Sequence, residues 1–71
     1  MKVVKIIWVD SCSLFGWHDK DTTHEVSECM SCGYLAKKDS KSVTLVQSFD
    51  DVNFSNSITI PRKAIISMEY L

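Results

Sequence analysis

Ser57-Ile58-Thr59-Ile60-Pro61-Arg62-Lys63-Ala64-Ile65-Ile66 is the stretch on which the fold turns. Residues 57–60 alternate polar and apolar, the period of a short strand. Pro61 carries no backbone N–H and ends the ladder. Pro61-Arg62-Lys63 therefore reads as a single 3₁₀ turn. A further strand over Ala64 to Leu71 follows it.

Working back from there, Asp50-Asp51-Val52-Asn53-Phe54-Ser55-Asn56 reads as a hairpin loop, and Ser42 to Ser48 as a strand. Its inner face takes Val43 and Leu45, with Phe49 a candidate. Lys38-Asp39-Ser40-Lys41 is a polar turn. Glu28 to Lys37 forms the strand before it. Met30, Cys32, Tyr34 and Ala36 share one face of that strand; Cys29, Ser31, Gly33 and Leu35 share the other. Gly33 inside a strand predicts a bulge or a sharp bend. Residues 10 to 27 make a long polar excursion containing Gly16, and ordered loops of this length are often functional. Val3 to Val9 is a β-rich first strand with Val4, Ile6 and Trp8 on one side. Its other side, Val3, Lys5, Ile7 and Val9, is also mostly apolar, which predicts cover on both faces.

No helical period and no repeat interrupts this order. Five short strands, a long first loop, two tighter hairpins and a Pro-initiated turn predict an all-β fold. The architecture expected is a small five-stranded SH3-like or Sm-like barrel, residues 1–71 as one domain, which limits the exposed sheet edges. The expected core draws on Val4, Ile6, Trp8, Met30, Tyr34, Leu45, Ile58, Ile60, and Ile65 or Ile66.

Length and composition bound the rest. A chain of 71 residues is one domain at most. With 45% hydrophobic and 24% charged residues it is globular rather than disordered. So small a core is marginal alone. Association into a homo-oligomer through strands 3–9 and 64–71 is therefore expected. Eight basic against nine acidic residues give a net charge of -1. That balance argues against a general nucleic-acid binder or a polybasic membrane anchor. No run of about 18 apolar residues offers a membrane span, and residues 1–9 lack the cleavage site of a signal peptide. Three cysteines cannot close a disulfide framework. Reduced thiols and a cytoplasmic setting are expected, with no cofactor.

Cys29-x-x-Cys32 invites a metal reading, with His24 and either Cys12 or His18 completing four zinc ligands. The two thiols fall on opposite faces if the segment is a strand, so Cys32 as a small buried core residue is the simpler expectation. A redox role needs a helix after the second Cys, and none follows. A Cys12–His18 nucleophile pair lies in an acidic loop without an evident pocket, so no enzymatic activity is expected. Trp17 and Phe54 sit in loops, where an exposed aromatic anchors a partner; the rival reading is that each clamps its loop to the sheet. Lys38, Lys41, Arg62 and Lys63, beside Lys37, concentrate positive charge in two turns. In a barrel of this kind those turns are neighbours, giving a local anion or nucleotide site; a solvated surface is the plainer reading.

Trp8-Val9-Asp10-Ser11, Gly16-Trp17, Gly33-Tyr34-Leu35, Ser42-Val43-Thr44-Leu45 and Ile60-Pro61 followed by Ile65 together resemble a family of short phage- and prophage-encoded proteins. Its pattern is W-x-D-S, G-W, G-[YF]-L, a Lys/Asp-rich turn, a β-rich run and I-P-x-x-x-I. The resemblance covers nearly the whole chain and implies a viral setting rather than an activity. The pattern does not require Cys12 or Cys32, which weakens the metal reading. Its residues are fold-forming: Asp10-Ser11 closes a strand, Gly33 suits a bend, and Ile60-Pro61 ends one strand.

The function expected is that of a non-enzymatic phage accessory protein in the host cytoplasm. It would bind a host or phage protein through Phe15, Trp17, His18 and Phe54, and inhibit a host defence or regulatory factor. The alternatives are an oligomer that binds a nucleotide or short nucleic acid through Lys38, Lys41, Arg62 and Lys63, and a small virion or assembly component.

Overall fold

The computed structural model describes residues 1–11, 17–21 and 25–71. Five strands form one antiparallel sheet: β1 (Val3–Asp10), β2 (Ser27–Lys38), β3 (Ser42–Phe49), β4 (Phe54–Pro61) and β5 (Ile65–Tyr70). A 3₁₀ turn, η1 (Arg62–Ala64), links β4 to β5. The spatial order is β4-β3-β2-β1-β5, so the last strand crosses over to pair with the first. Among the described residues no helix is long and apolar enough to cross a membrane.

Local chemistry sets the boundaries. Pro61, expected to open the turn, is instead the last residue of β4, extended with φ of -60° and paired with Ser42; lacking a ladder donor, it ends the strand, and η1 starts at Arg62. Asp10 closes β1 by accepting the Ser11 N–H on Oδ1 at 2.8 Å. The β2–β3 and β3–β4 connections share one device. Asp39 Oδ1 accepts the N–H groups of Lys41 and Ser42 at 2.8 and 2.9 Å. Asp50 Oδ1 accepts those of Val52 and Asn53 at 2.9 and 2.7 Å. In each turn the Asp N–H also donates to the carbonyl three residues on. These are Asx turns, in which a short carboxylate stands in for backbone. The amide bonds, that of Ser42 foremost, hold the Asp39 carboxyl below its ordinary pKa of 3.8; those from Val52 and Asn53 do the same for Asp50.

The core is a single cluster of Val4, Ile6, Val43, Leu45 and Ile60, all buried. Trp8, Leu35, Ala64, Ile65 and Met68 pack around it. Each fully buried aliphatic side chain contributes about 1.5–3 kcal/mol. Trp8 keeps its polar end satisfied by donating from Nε1 to Ser31 Oγ at 3.0 Å.

Several expectations need correction. Met30, expected in the core, is 68% exposed, and Ile58 is also exposed. The β1–β2 register pairs Trp8 with Cys29 and Ile6 with Ser31. Paired residues point to the same face, so Met30 goes with Ile7 to the far side. Tyr34 is half-buried on that side, edge-on to Phe49 with ring centroids 5.0 Å apart. Phe49 itself is exposed. Leu35, not Tyr34, reaches the core. The β2 irregularity also moves: the register shifts between Leu35 and Lys37 rather than at Gly33. Gly33 instead permits close approach, since a Cβ there would lie 3.0 Å from the Val46 carbonyl oxygen. Residues 54–56 belong to β4, not to a loop. Asn56 sits in that strand with φ of 51°, a conformation Asn tolerates better than most residues, and its amide donates to Gln47 Oε1 at 2.7 Å.

Candidate binding surfaces

The molecule is elongated, 52 Å along its longest axis and 22 by 21 Å across. Two surfaces stand out.

The first is the β3–β4 hairpin tip. Phe49 and Phe54 are cross-strand partners on either side of the Asp50 turn. Between them opens a cleft of about 230 Å³ lined by Ser48, Phe49, Asp50, Asn53, Phe54 and Ser55. Phe54 is 65% exposed and Val52 is more so. Both aromatics lie beyond the last fully buried residues of the hairpin, so they add no cover to the core. Trp17 is fully exposed and His18 is exposed beside it. Trp17 is not among the residues lining the cleft. Phe15 lies outside the described residues. Of the four residues expected to meet a protein partner, three are on the surface, and the cleft at the hairpin tip is lined by Phe54 but not by Trp17.

The second surface gathers positive charge. The Arg62 N–H donates to the Lys41 carbonyl at 2.9 Å, and Arg62 Nε to the Asp39 carbonyl at 2.8 Å. The β2–β3 turn and η1 are therefore in contact, brought together by the pairing of Ser42 with Pro61 across β3 and β4. Lys38 is carried by the end of β2, where Nζ donates to the Tyr70 hydroxyl at 3.0 Å. Nζ of Lys2 lies 5.3 Å from the centroid of the Tyr70 ring, and that of Lys38 lies 5.6 Å from it. The Lys38 hydrogen bond, with the fields of Lys38, Lys2 and Arg62, holds the Tyr70 phenol below its ordinary pKa of 10.0. Lys63 follows Arg62 in η1 and is exposed. Lys2 and Tyr70 were not anticipated as members of this cluster. Only the pairing of Val4 with Tyr70 across β1 and β5 places them together.

The cysteines behave differently from a metal knuckle. Cys29 and Cys32 are free thiols within one continuous strand, and Cys32, expected in the core, is exposed because its register partner Lys5 turns it to the face away from Val4 and Ile6. Cys29 pairs with Trp8 and Cys32 with Lys5, so the two lie on opposite faces. Cys12 and His24 lie outside the described residues. Among the described residues no group of three or more His, Cys, Asp or Glu side chains is placed to share an ion.

Comparison with known protein families, with curated proteins and with solved structures finds no match.

Proposed function

We propose that this chain is a phage-encoded, non-enzymatic binding protein of the host cytoplasm. It docks a host or phage protein through exposed aromatic side chains and so blocks a defence or regulatory factor. The observation that carries this reading is the display of Trp17 and of the Phe49–Phe54 hairpin tip. Large aromatics are the side chains that most often anchor interfaces, and a monomer gains no stability from leaving them in water. The viral setting rests on the sequence pattern alone. The open sheet is read as an SH3-like or Sm-like barrel; the strand order β4-β3-β2-β1-β5 and the 3₁₀ turn before β5 support that assignment.

The test is affinity capture from host lysate with the wild-type chain, Trp17→Ala and Phe54→Ala. Each variant is first checked for an unchanged melting curve. A discrete protein retained by wild type and lost with either variant supports the reading. Equal retention by all three removes the aromatic assignment.

A further inference from the structure

We propose that Lys2, Lys38, Arg62 and Tyr70, extended by Lys41 and Lys63, form a site for the phosphate backbone of a single-stranded nucleic acid. This is a different surface from the aromatic docking site, and neither proposal depends on the other.

Four separate parts of the chain supply the cluster: the residue before β1, the end of β2, η1 and the end of β5. Among the described residues no ion pair neutralises its charge. Among the described residues the ion pairs are Lys5–Glu69 at 3.2 Å and Lys37–Asp39 at 3.7 Å. Of the acids adjacent in sequence to the cluster, Asp39 is committed to Lys37 and to the backbone of its own turn, and Glu69 is paired with Lys5. Cations held on one ring without a carboxylate repel one another, and an oxyanion relieves that repulsion.

The donor geometry suits phosphate. Lys38 donates to Tyr70 Oη, which leaves the phenol O–H free to donate outward. Arg62 is anchored through Nε to the Asp39 carbonyl, so its terminal N–H groups are free to meet a planar pair of oxygens. The Lys and Arg groups of the cluster are donors only, and the Tyr70 phenol adds its O–H while its oxygen accepts from Lys38. The lowered phenol pKa reports the same positive field.

The form of the surface selects the ligand. Tyr70 is 46% exposed and is not part of the hairpin cleft. An open site screens a lone phosphate with water. A strand brings several phosphates to several cations at once, releasing counterions at each. The partly exposed ring adds a face on which a base can stack. A net charge of -1 for the whole chain confines attraction to this patch, so binding is weak and strongly salt-dependent.

The experiment is fluorescence anisotropy with a labelled oligothymidylate of about 12 nucleotides at about 50 mM salt and upward. Binding is expected, with log K falling against log salt by about 0.7 for each phosphate contacted. Lys38→Gln and Arg62→Gln should each flatten that slope by about 0.7 and weaken binding several-fold. Lys38→Arg, which keeps the charge, should retain binding. Lys20→Gln makes the same charge change outside the cluster and should leave affinity unaltered. No binding at low salt overturns the proposal, as does equal weakening by Lys20→Gln and Lys38→Gln. Binding of a mononucleotide or inorganic phosphate with no gain from the longer strand overturns it too. As a check independent of variant folding, amide shifts of the wild-type chain on titration should concentrate at residues 2, 38, 62 and 70. Shifts spread over the whole surface count against the site.

Discussion

Replacing Gly33 with Ala sets two effects of opposite sign against each other. Gly33 lies inside β2 opposite Val4, with a backbone conformation open to ordinary residues. On local grounds Ala is therefore the better residue, by about 0.5–1 kcal/mol, because Gly loses more conformational entropy on folding. Packing opposes this. The added Cβ meets the Val46 carbonyl oxygen at 3.0 Å and the Leu45 Cβ at 3.3 Å. Both contacts are tight, and neither partner is the free end of a flexible side chain. Leu45 and Val46 are buried, and β3 pairs with strands on both sides. Overpacking of this kind costs about 1–3 kcal/mol. The balance runs from about zero to a loss of about 2.5 kcal/mol, with the mid-values giving a loss of about 1.3 kcal/mol. Total stability at this length is about 4–10 kcal/mol, so the loss is a visible fraction. A domain this small shifts its melting temperature by about 4–8 °C per kcal/mol. Thermal unfolding followed by circular dichroism should place Gly33→Ala several degrees below wild type, and Gly33→Val lower still. The melts need two protein concentrations, because self-association raises apparent stability by mass action. A Gly33→Ala midpoint above wild type at both concentrations would refute the argument. It would mean that β3 gives way and that close approach does not explain the glycine.

Two further outcomes follow from the same geometry. The Trp8 indole bond to Ser31 is partly buried, so a double-mutant cycle with Trp8→Phe and Ser31→Ala should return a coupling of about 0.5–1.5 kcal/mol in urea unfolding; additive losses would show that the bond adds nothing. The turn carboxyls Asp39 and Asp50 have folded-state pKa values below 3.8, so the unfolded chain binds their protons first. Their contribution is whole above pH 3.8 and is lost as pH falls through the folded values. The urea midpoint should therefore drop in that acid range, and less in Asp39→Asn/Asp50→Asn, which keeps an acceptor oxygen but cannot titrate there; equal drops contradict the turn assignment.

Much of the strand order is legible in the chain because it depends on short-range chemistry. The β-branched run at Val3 to Val9, the Asp-led polar turns and the donorless Pro61 each act within a few residues. They marked β1, the hairpins and η1 close to where they lie. The errors fall where a choice depends on a partner strand. Either face of β2 could have been the inner one, and the larger side chains of Met30 and Tyr34 favoured the wrong face. The polar run Phe54-Ser55-Asn56 looked like loop because the outer end of that hairpin covers no core and carries no hydrophobic alternation.

The candidate surfaces divide in the same way. Trp17 and Phe54 can be named from their loop-like context, and both are exposed, but the cleft that Phe54 lines and Trp17 does not is invisible in the chain. Lys38, Lys41, Arg62 and Lys63 could be grouped once a barrel topology was supposed. Lys2 and Tyr70 could not, since 68 positions separate them and only β1–β5 pairing closes that distance.

Composition and local pattern thus established a small, nearly neutral all-β domain ending in a Pro-initiated turn. Those properties follow from dihedral preferences and donors that each residue carries with it. Register, the inner face of β2, the purpose of Gly33 and the gathering of cations around Tyr70 required the folded sheet. Each is a relation between residues far apart in sequence, set by pairing that shifts all side chains to the opposite face for a slip of one position.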